Sequence, residues 1–178
     1  YEVKMTRDTD EFISLEERTQ FASRSVADLF VSIHANSSPA RNVNGLEVFT
    51  ADYLDFKERN EDQRKKNQNL MFNSLSMNNS DPDVTHIVAD MLYVHKLAES
   101  DVLAQYFTKE TTKSAKTKNR GEKKSRFFVL RNTLVPAVLV EIGFLTNPKE
   151  AKLLQTPDYR EKMAKALAKS IMDYADRD

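Results

Sequence analysis

Two residues of this sequence stand where side chains do chemistry. His34 lies at the end of Leu29-Phe30-Val31-Ser32-Ile33-His34-Ala35-Asn36, and Glu141 ends Pro136-Ala137-Val138-Leu139-Val140-Glu141, with Gly143 close behind. An imidazole binds metals or carries protons near neutral pH. A carboxylate set after a run of apolar residues is costly to bury if it is idle. The pair suggests a metal ligand and a general base.

Both runs are too short for helices, are bounded by breakers and hardly alternate. They are therefore expected to be central, parallel strands buried on both faces. In such sheets ligands bind just beyond the carboxyl ends of the strands, the place that His34 and Glu141 occupy. The period of two puts Phe30, Ser32 and His34 on one face of their strand, and Ala137, Leu139 and Glu141 on one face of theirs.

Further elements frame these two. Residues 1–7 alternate as a strand would, with Val3 and Met5 against Glu2, Lys4 and Thr6. A helix is expected next, with Ser14 and Glu17 as a capping box and Phe12, Leu15, Ala22 and Val26 as its apolar stripe. A strand is expected at 46–49. A long helix follows over about 83–110, with Val84, Ile87, Met91, Val94 and Leu97 in register. The Lys-, Thr- and Ser-rich stretch 111–126 reads as a loop, and 127–131 as another strand. Asn147-Pro148 and Thr156-Pro157 each place a cap residue before a helix-starting proline. The last helix carries Tyr159, Met163, Ala166, Leu167, Ser170 and Tyr174 down one side, expected to pack on the sheet.

Segment 57–69 has no apolar residue, so even as a helix it has no greasy face to bury and must be solvated or fill a polar cleft. His86 and His95 tempt as extra metal ligands. Nine residues of helix turn through about 900°, which points them to opposite faces.

Composition narrows the classes. The chain has 178 residues, 40% of them hydrophobic, enough for one domain with a real core. Its 27 basic residues match its 27 acidic ones, so no net field favours nucleic acid or an anionic membrane. With no cysteine, disulfides, thiolate ligands and Cys nucleophiles are excluded. No apolar stretch approaches the roughly 20 residues that span a bilayer. The opening Tyr1-Glu2-Val3-Lys4-Met5-Thr6-Arg7 shows no Met-initiated signal and reads as the middle of a domain. Only three glycines suggests that a glycine-rich portion lies outside this chain.

Taken in order, Thr6-Arg7-Asp8, Leu15-Glu16-Glu17-Arg18, residues 27–36, Gly45-Leu46-Glu47-Val48, Phe128-Val129-Leu130-Arg131 and residues 136–148 resemble the zinc-dependent N-acetylmuramoyl-L-alanine amidases of the bacterial cell wall. The resemblance implies an α/β fold: a single mixed, mostly parallel sheet flanked by helices, with a helical insertion. It implies an amidase catalytic domain over 1–178 that lacks its first strand and helix, with a regulatory insertion over 51–110. The family's second zinc-binding histidine falls on His34 and its catalytic glutamate on Glu141. The first histidine, in a Gly-His-Gly-Gly turn, and the ligand glutamate have no counterpart here. Glu47 resembles a recurrent family glutamate, with a structural hydrogen bond as its expected role.

The implied activity is hydrolysis of the amide between N-acetylmuramic acid and L-alanine in peptidoglycan, outside the cytoplasm, in periplasm or cell wall, during daughter-cell separation. Zn2+ would lower the pKa of bound water to about 7, and Glu141 would take its proton and return it to the leaving amine. Asn36 is a candidate to orient His34 or a substrate carbonyl. Arg131, at a strand end, is a candidate for a carboxylate of the peptide stem. In division-type members the insertion plugs the zinc site until an activator protein docks. Glu58 and Glu61, one helical turn apart, are the candidate plug, and Leu70, Phe72 and Leu75 the candidate docking cluster. The rival reading is a non-catalytic module of the same fold that binds peptidoglycan or a partner. A zinc peptidase of another fold would need a His-Glu-x-x-His, and none is present.

Overall fold

A computed structural model describes residues 1–52 and 82–177. Along them run α1 (Leu15–Arg24), β1 (Phe30–Asn36), β2 (Leu46–Ala51), α2 (Pro82–Ala115), β3 (Asn119–Ser125), α3 (Phe128–Arg131), β4 (Ala137–Phe144), α4 (Pro148–Gln155) and α5 (Pro157–Ala175). The strands form a single four-stranded sheet in the order β1-β4-β2-β3. Phe30 N–H donates to the Pro136 carbonyl and Leu145 N–H to the Asn36 carbonyl. Start thus meets start and end meets end, so β1 and β4 run parallel. β2 runs antiparallel to β4, with Glu47 opposite Glu141 and Val48 opposite Val140. The sheet is mixed and carries helices, as expected. Segment 57–69, with Glu58 and Glu61, and the cluster of Leu70, Phe72 and Leu75 lie outside the described residues.

The described residues fall into two compact units. One comprises Val31–Thr50, Ser100–Ser125 and the chain from Val138 onward. In it β4 is buried on both faces, as its apolar run foretold. β1 is not: Ile33 is 56% exposed, and His34 and Ala35 are exposed too. β1 lies at one end of the strand order, with β4 its sheet neighbour among the described residues.

The loop expected over 111–126 is instead the end of α2 followed by β3. Polar composition misleads there because a strand at the end of a sheet tolerates charge, and these charges have partners. Arg120 and Lys123 pair with Glu47, and Lys124 with Asp101. Asn147 caps α4 as foreseen, its side chain accepting from Lys149 and Glu150 N–H. Thr156 precedes α5 but sends its hydroxyl back to the Leu153 carbonyl, 2.7 Å away. α5 buries Met163, Ala166, Leu167, Ser170 and Tyr174. Tyr174 meets Tyr106 of α2 edge-on at 6.1 Å.

The other unit comprises Tyr1–Phe30, Arg126–Ala137 and the described part of Ala51–Glu99. α1 starts at the expected capping box of Ser14 and Glu17. Of its expected stripe only Ala22 is buried; Phe12 and Val26 fall outside the helix and are exposed. Residues 1–7 form no strand. Val3 is 83% and Met5 67% exposed, so their alternation meets no core.

Residues 127–131 are not a strand either. The N–H groups of Leu130 and Arg131 both return to the Phe127 carbonyl at 3.1 Å, closing the short helix α3. A brief apolar run fits either state, and here local bonds decide. The first part of α2 buries Ala89, Tyr93 and Leu97, whereas Val84, Ile87, Met91 and Val94 are exposed. Lys96 is buried beside them and donates to the Leu130 carbonyl.

Candidate active site

The site is built on one face of the sheet, within the first unit. Glu47 of β2 stands directly opposite Glu141 of β4, and in an antiparallel pair opposite residues share a face. Asn36 of β1 reaches the same face, since its Nδ2 donates to Glu47 Oε2 at 3.1 Å. Ser32 and His34 precede Asn36 at the strand period of two and therefore join it. His34 Nε2 lies 3.0 Å from Ser32 Oγ.

Two glycines make the strand ends fit. Gly45 sits at φ +117°, and a Cβ there would lie 2.4 Å from the Lys118 carbonyl oxygen. Gly143 sits at φ +149°, where a Cβ would press on the Glu150 carboxylate at 3.3 Å. That carboxylate is buried and bridges the two strands. Oε1 accepts from Gly45 N–H at 2.9 Å and Oε2 from Phe144 N–H at 2.7 Å. Asn147 completes the clamp by donating to the Val43 carbonyl at 3.1 Å. The glutamates of β2 and β4 are thus held beside each other by a structure only a few residues away.

The two carboxylates have opposite environments. Glu47 is 3% exposed; burial pushes its pKa up, but hydrogen bonds and charge from Arg120 and Lys123 prevail and hold it below the ordinary value. Arg120 Nε lies 2.7 Å from Glu47 Oε1, the oxygen that Lys123 also reaches. Glu141 is 8% exposed, and its Oε2 is buried without a hydrogen-bond partner. Burial first, then the negative charge of Glu47, pushes its pKa up to about 7. A carboxyl group poised near neutrality with one oxygen lacking a partner is suited to accept and release a proton.

The structure brings His34, Asn36 and Glu141 to one face of the sheet. Asn36 is engaged with Glu47, and the hydrogen-bond partner shown for the His34 ring is Ser32. Arg131 is not at a strand end; it lies in α3, in the other unit, with its guanidinium 5.8 Å from the Phe128 ring centre. Sequence reading missed Arg120, Lys123 and Glu150. The first two were hidden in a segment read as a loop. The available signal for Glu47 was a carboxylate inside the apolar run Leu46-Glu47-Val48, which demands a cation.

For zinc, the donor set decides the fit. Among the described residues no three His, Cys, Asp or Glu side chains are grouped to hold a metal ion. His34 suits one donor position, but these residues do not compose a zinc site by themselves.

A near-neutral carboxylate and an imidazole on one face of an α/β sheet are suited to acid–base chemistry. The chain belongs to the N-acetylmuramoyl-L-alanine amidase family, whose model matches residues 1–173. It is 30% identical over 183 residues to the amidase AmiA of Escherichia coli (strain K12), taking in 97% of this chain and 61% of that protein. The chain thus spans about three-fifths of that relative's length. Its fold matches the catalytic domain of CwlV, an N-acetylmuramoyl-L-alanine amidase from Bacillus (Paenibacillus) polymyxa var. colistinus, with a TM-score of 0.70, 27% identity and coverage of 98% of this chain and 73% of that one. It also matches the CwlD amidase of Clostridioides difficile, solved in complex with the GerS lipoprotein, with a TM-score of 0.63, 26% identity and coverage of 92% and 62%.

Proposed function

We propose that the protein hydrolyses the amide joining N-acetylmuramic acid to L-alanine in peptidoglycan, with Glu141 as the general base. The observation that carries this reading is the carboxylate of Glu141, buried, unpartnered at Oε2 and pushed up to about 7. Such a group takes a proton from the attacking water and returns it to the amine of the departing alanine. Glu47, fixed as an anion by Arg120 and Lys123, keeps Glu141 basic. Asn36 holds Glu47 from the third strand. His34 would offer one donor to a zinc ion, which when bound would polarise the carbonyl and make water more acidic.

The reaction belongs to the cell wall, so the place of action is the periplasm or the exterior, and the role is wall remodelling and daughter-cell separation. The apolar-free segment 57–69 supports regulation by a plug, with Glu58 or Glu61 shielding the site until an activator engages Leu70, Phe72 and Leu75. That a similar amidase is found in complex with a lipoprotein supports a protein partner.

The test is incubation with purified sacculi and with a defined N-acetylmuramoyl-L-alanyl peptide, reading new L-alanine amino termini by mass spectrometry. Amide cleavage should fall by about 10²–10⁴ in Glu141→Gln and rise when Glu58 and Glu61 are both changed to Ala. Cleavage at a glycan bond, or unchanged amide cleavage in Glu141→Gln, overturns the reading.

A further inference from the structure

We infer that Arg120 of β3 is the specificity residue that reads a carboxylate on the peptide stem, one residue beyond the L-alanine whose amide is cut. The inference rests on the amidase reading for its substrate class, and on geometry for the residue.

Arg120 is anchored before any ligand arrives. Its Nε lies 2.7 Å from Glu47 Oε1, and its guanidinium carbon lies 5.4 Å from the centre of the Phe144 ring. The side chain nevertheless keeps 27% of its surface in solvent. Its described hydrogen bonding ends at Glu47, which leaves both Nη groups to offer a planar fork. A guanidinium braced through Nε and against an aromatic ring has already lost much of its rotamer freedom, so a carboxylate that meets the fork gains two parallel charged hydrogen bonds at low ordering cost.

Charge agrees. Arg120 and Lys123 share the single carboxylate of Glu47, so these three side chains together carry one positive charge in excess. Lys123 is a point charge bound to the same oxygen, and it raises the local potential without offering a planar fork.

Distance agrees too. Glu141 on β4, Glu47 on β2 and Arg120 on β3 occupy consecutive strands. Two strand spacings separate the backbones of β4 and β3 by about 9–10 Å. In an extended stem the second residue's Cα lies about 3.8 Å beyond that of L-alanine. Its carboxylate then falls about 7–8 Å from the scissile carbonyl by the same bond lengths, and the length of the arginine side chain closes the remainder. A stem lying across β4, β2 and β3 thus presents its amide to Glu141 and an acidic second residue to Arg120. This assigns to Arg120 the carboxylate contact for which the sequence had offered Arg131.

The test needs two probes, an N-acetylmuramoyl tripeptide whose second residue carries a free α-carboxylate, and the same molecule with that carboxylate amidated. Affinity is read by calorimetry, which requires no turnover. The chain should bind the free-carboxylate probe about tenfold or more tightly than the amidated one. Arg120→Gln should bring that ratio close to one, and Arg120→Lys should restore only part of it. The wild-type comparison stands even where a variant fails to fold. Equal affinity of the wild-type chain for the two probes overturns the inference, as does full discrimination in Arg120→Gln. In turnover the same ratio should appear in KM and not in kcat. A chain that discriminates between the probes but cuts neither refutes the amidase reading and leaves the carboxylate site standing.

Discussion

Changing Glu141 to Gln should make the protein more stable relative to wild type at alkaline pH while leaving the two alike in acid. Burial and the charge of Glu47 move the carboxyl from 4.5 to about 7. The folded state therefore holds this proton more tightly than the unfolded chain does. The resulting stabilisation is complete below about pH 4.5 and is lost as the pH rises to about 7, since stability falls wherever the folded state binds more protons. At about 1.36 kcal/mol for each pH unit of that interval, the loss is about 3 kcal/mol. Glutamine has no proton to lose and escapes the penalty. For a chain of this size the effect corresponds to about 10 °C in Tm at most. Urea melts of both proteins at pH 4.5 and pH 8, with EDTA present, measure it directly. The difference between variant and wild type should grow by about 3 kcal/mol between the two pH values. A difference independent of pH would refute the claim that Glu141 is buried beside a fixed anion, and with it the reason for calling it the base.

Glu150→Ala strands the buried N–H groups of Gly45 and Phe144 and should cost about 2–5 kcal/mol in urea melts; an unchanged midpoint would mean that the clamp is not made. Gly45→Ala forces a Cβ against the Lys118 carbonyl at a φ of +117°, and should lower stability by about 2 kcal/mol or more in thermal melts. Titrated with zinc, the chain should bind weakly, because His34 is the one residue of this sequence that matches a family zinc ligand, and His34→Ala should abolish what binding there is. Tight, stoichiometric zinc by elemental analysis, surviving His34→Ala, would require a different donor set.

What could be read in the sequence was whatever local chemistry dictates. The capping box of Ser14 and Glu17, the cap at Asn147 and the buried run of β4 all appear where residue type alone placed them. The errors came where tertiary partners decide. Residues 119–125 look solvated because Arg120, Lys123 and Lys124 are charged, yet their partners Glu47 and Asp101 lie far away in the chain and hold them in a strand. Val3 and Met5 have the right alternation but no neighbouring strand among the described residues. The run 127–131 is apolar enough for a strand, but its N–H groups close on Phe127 instead. That His34 and Glu141 stand on strands of one sheet was legible from their apolar runs. The bond from Asn36 to Glu47 was not legible, since register between strands cannot be read from one of them.

The register also decides which of the two glutamates is held as an anion. Glu47 and Glu141 are cross-strand partners, so their backbones are only about 4.5–5.5 Å apart, and two negative charges at that spacing resist each other. One must yield, and the cations decide which. Arg120, Lys123 and Asn36 all donate to Glu47, while Glu141 Oε2 has no donor. Glu47 therefore remains ionised and Glu141 takes up the proton as the pH falls. Had the basic pair of β3 faced Glu141 instead, the same two carboxylates would exchange parts. The strand that its charges disguised as a loop is thus the element that settles which of the two carboxylates takes up the proton.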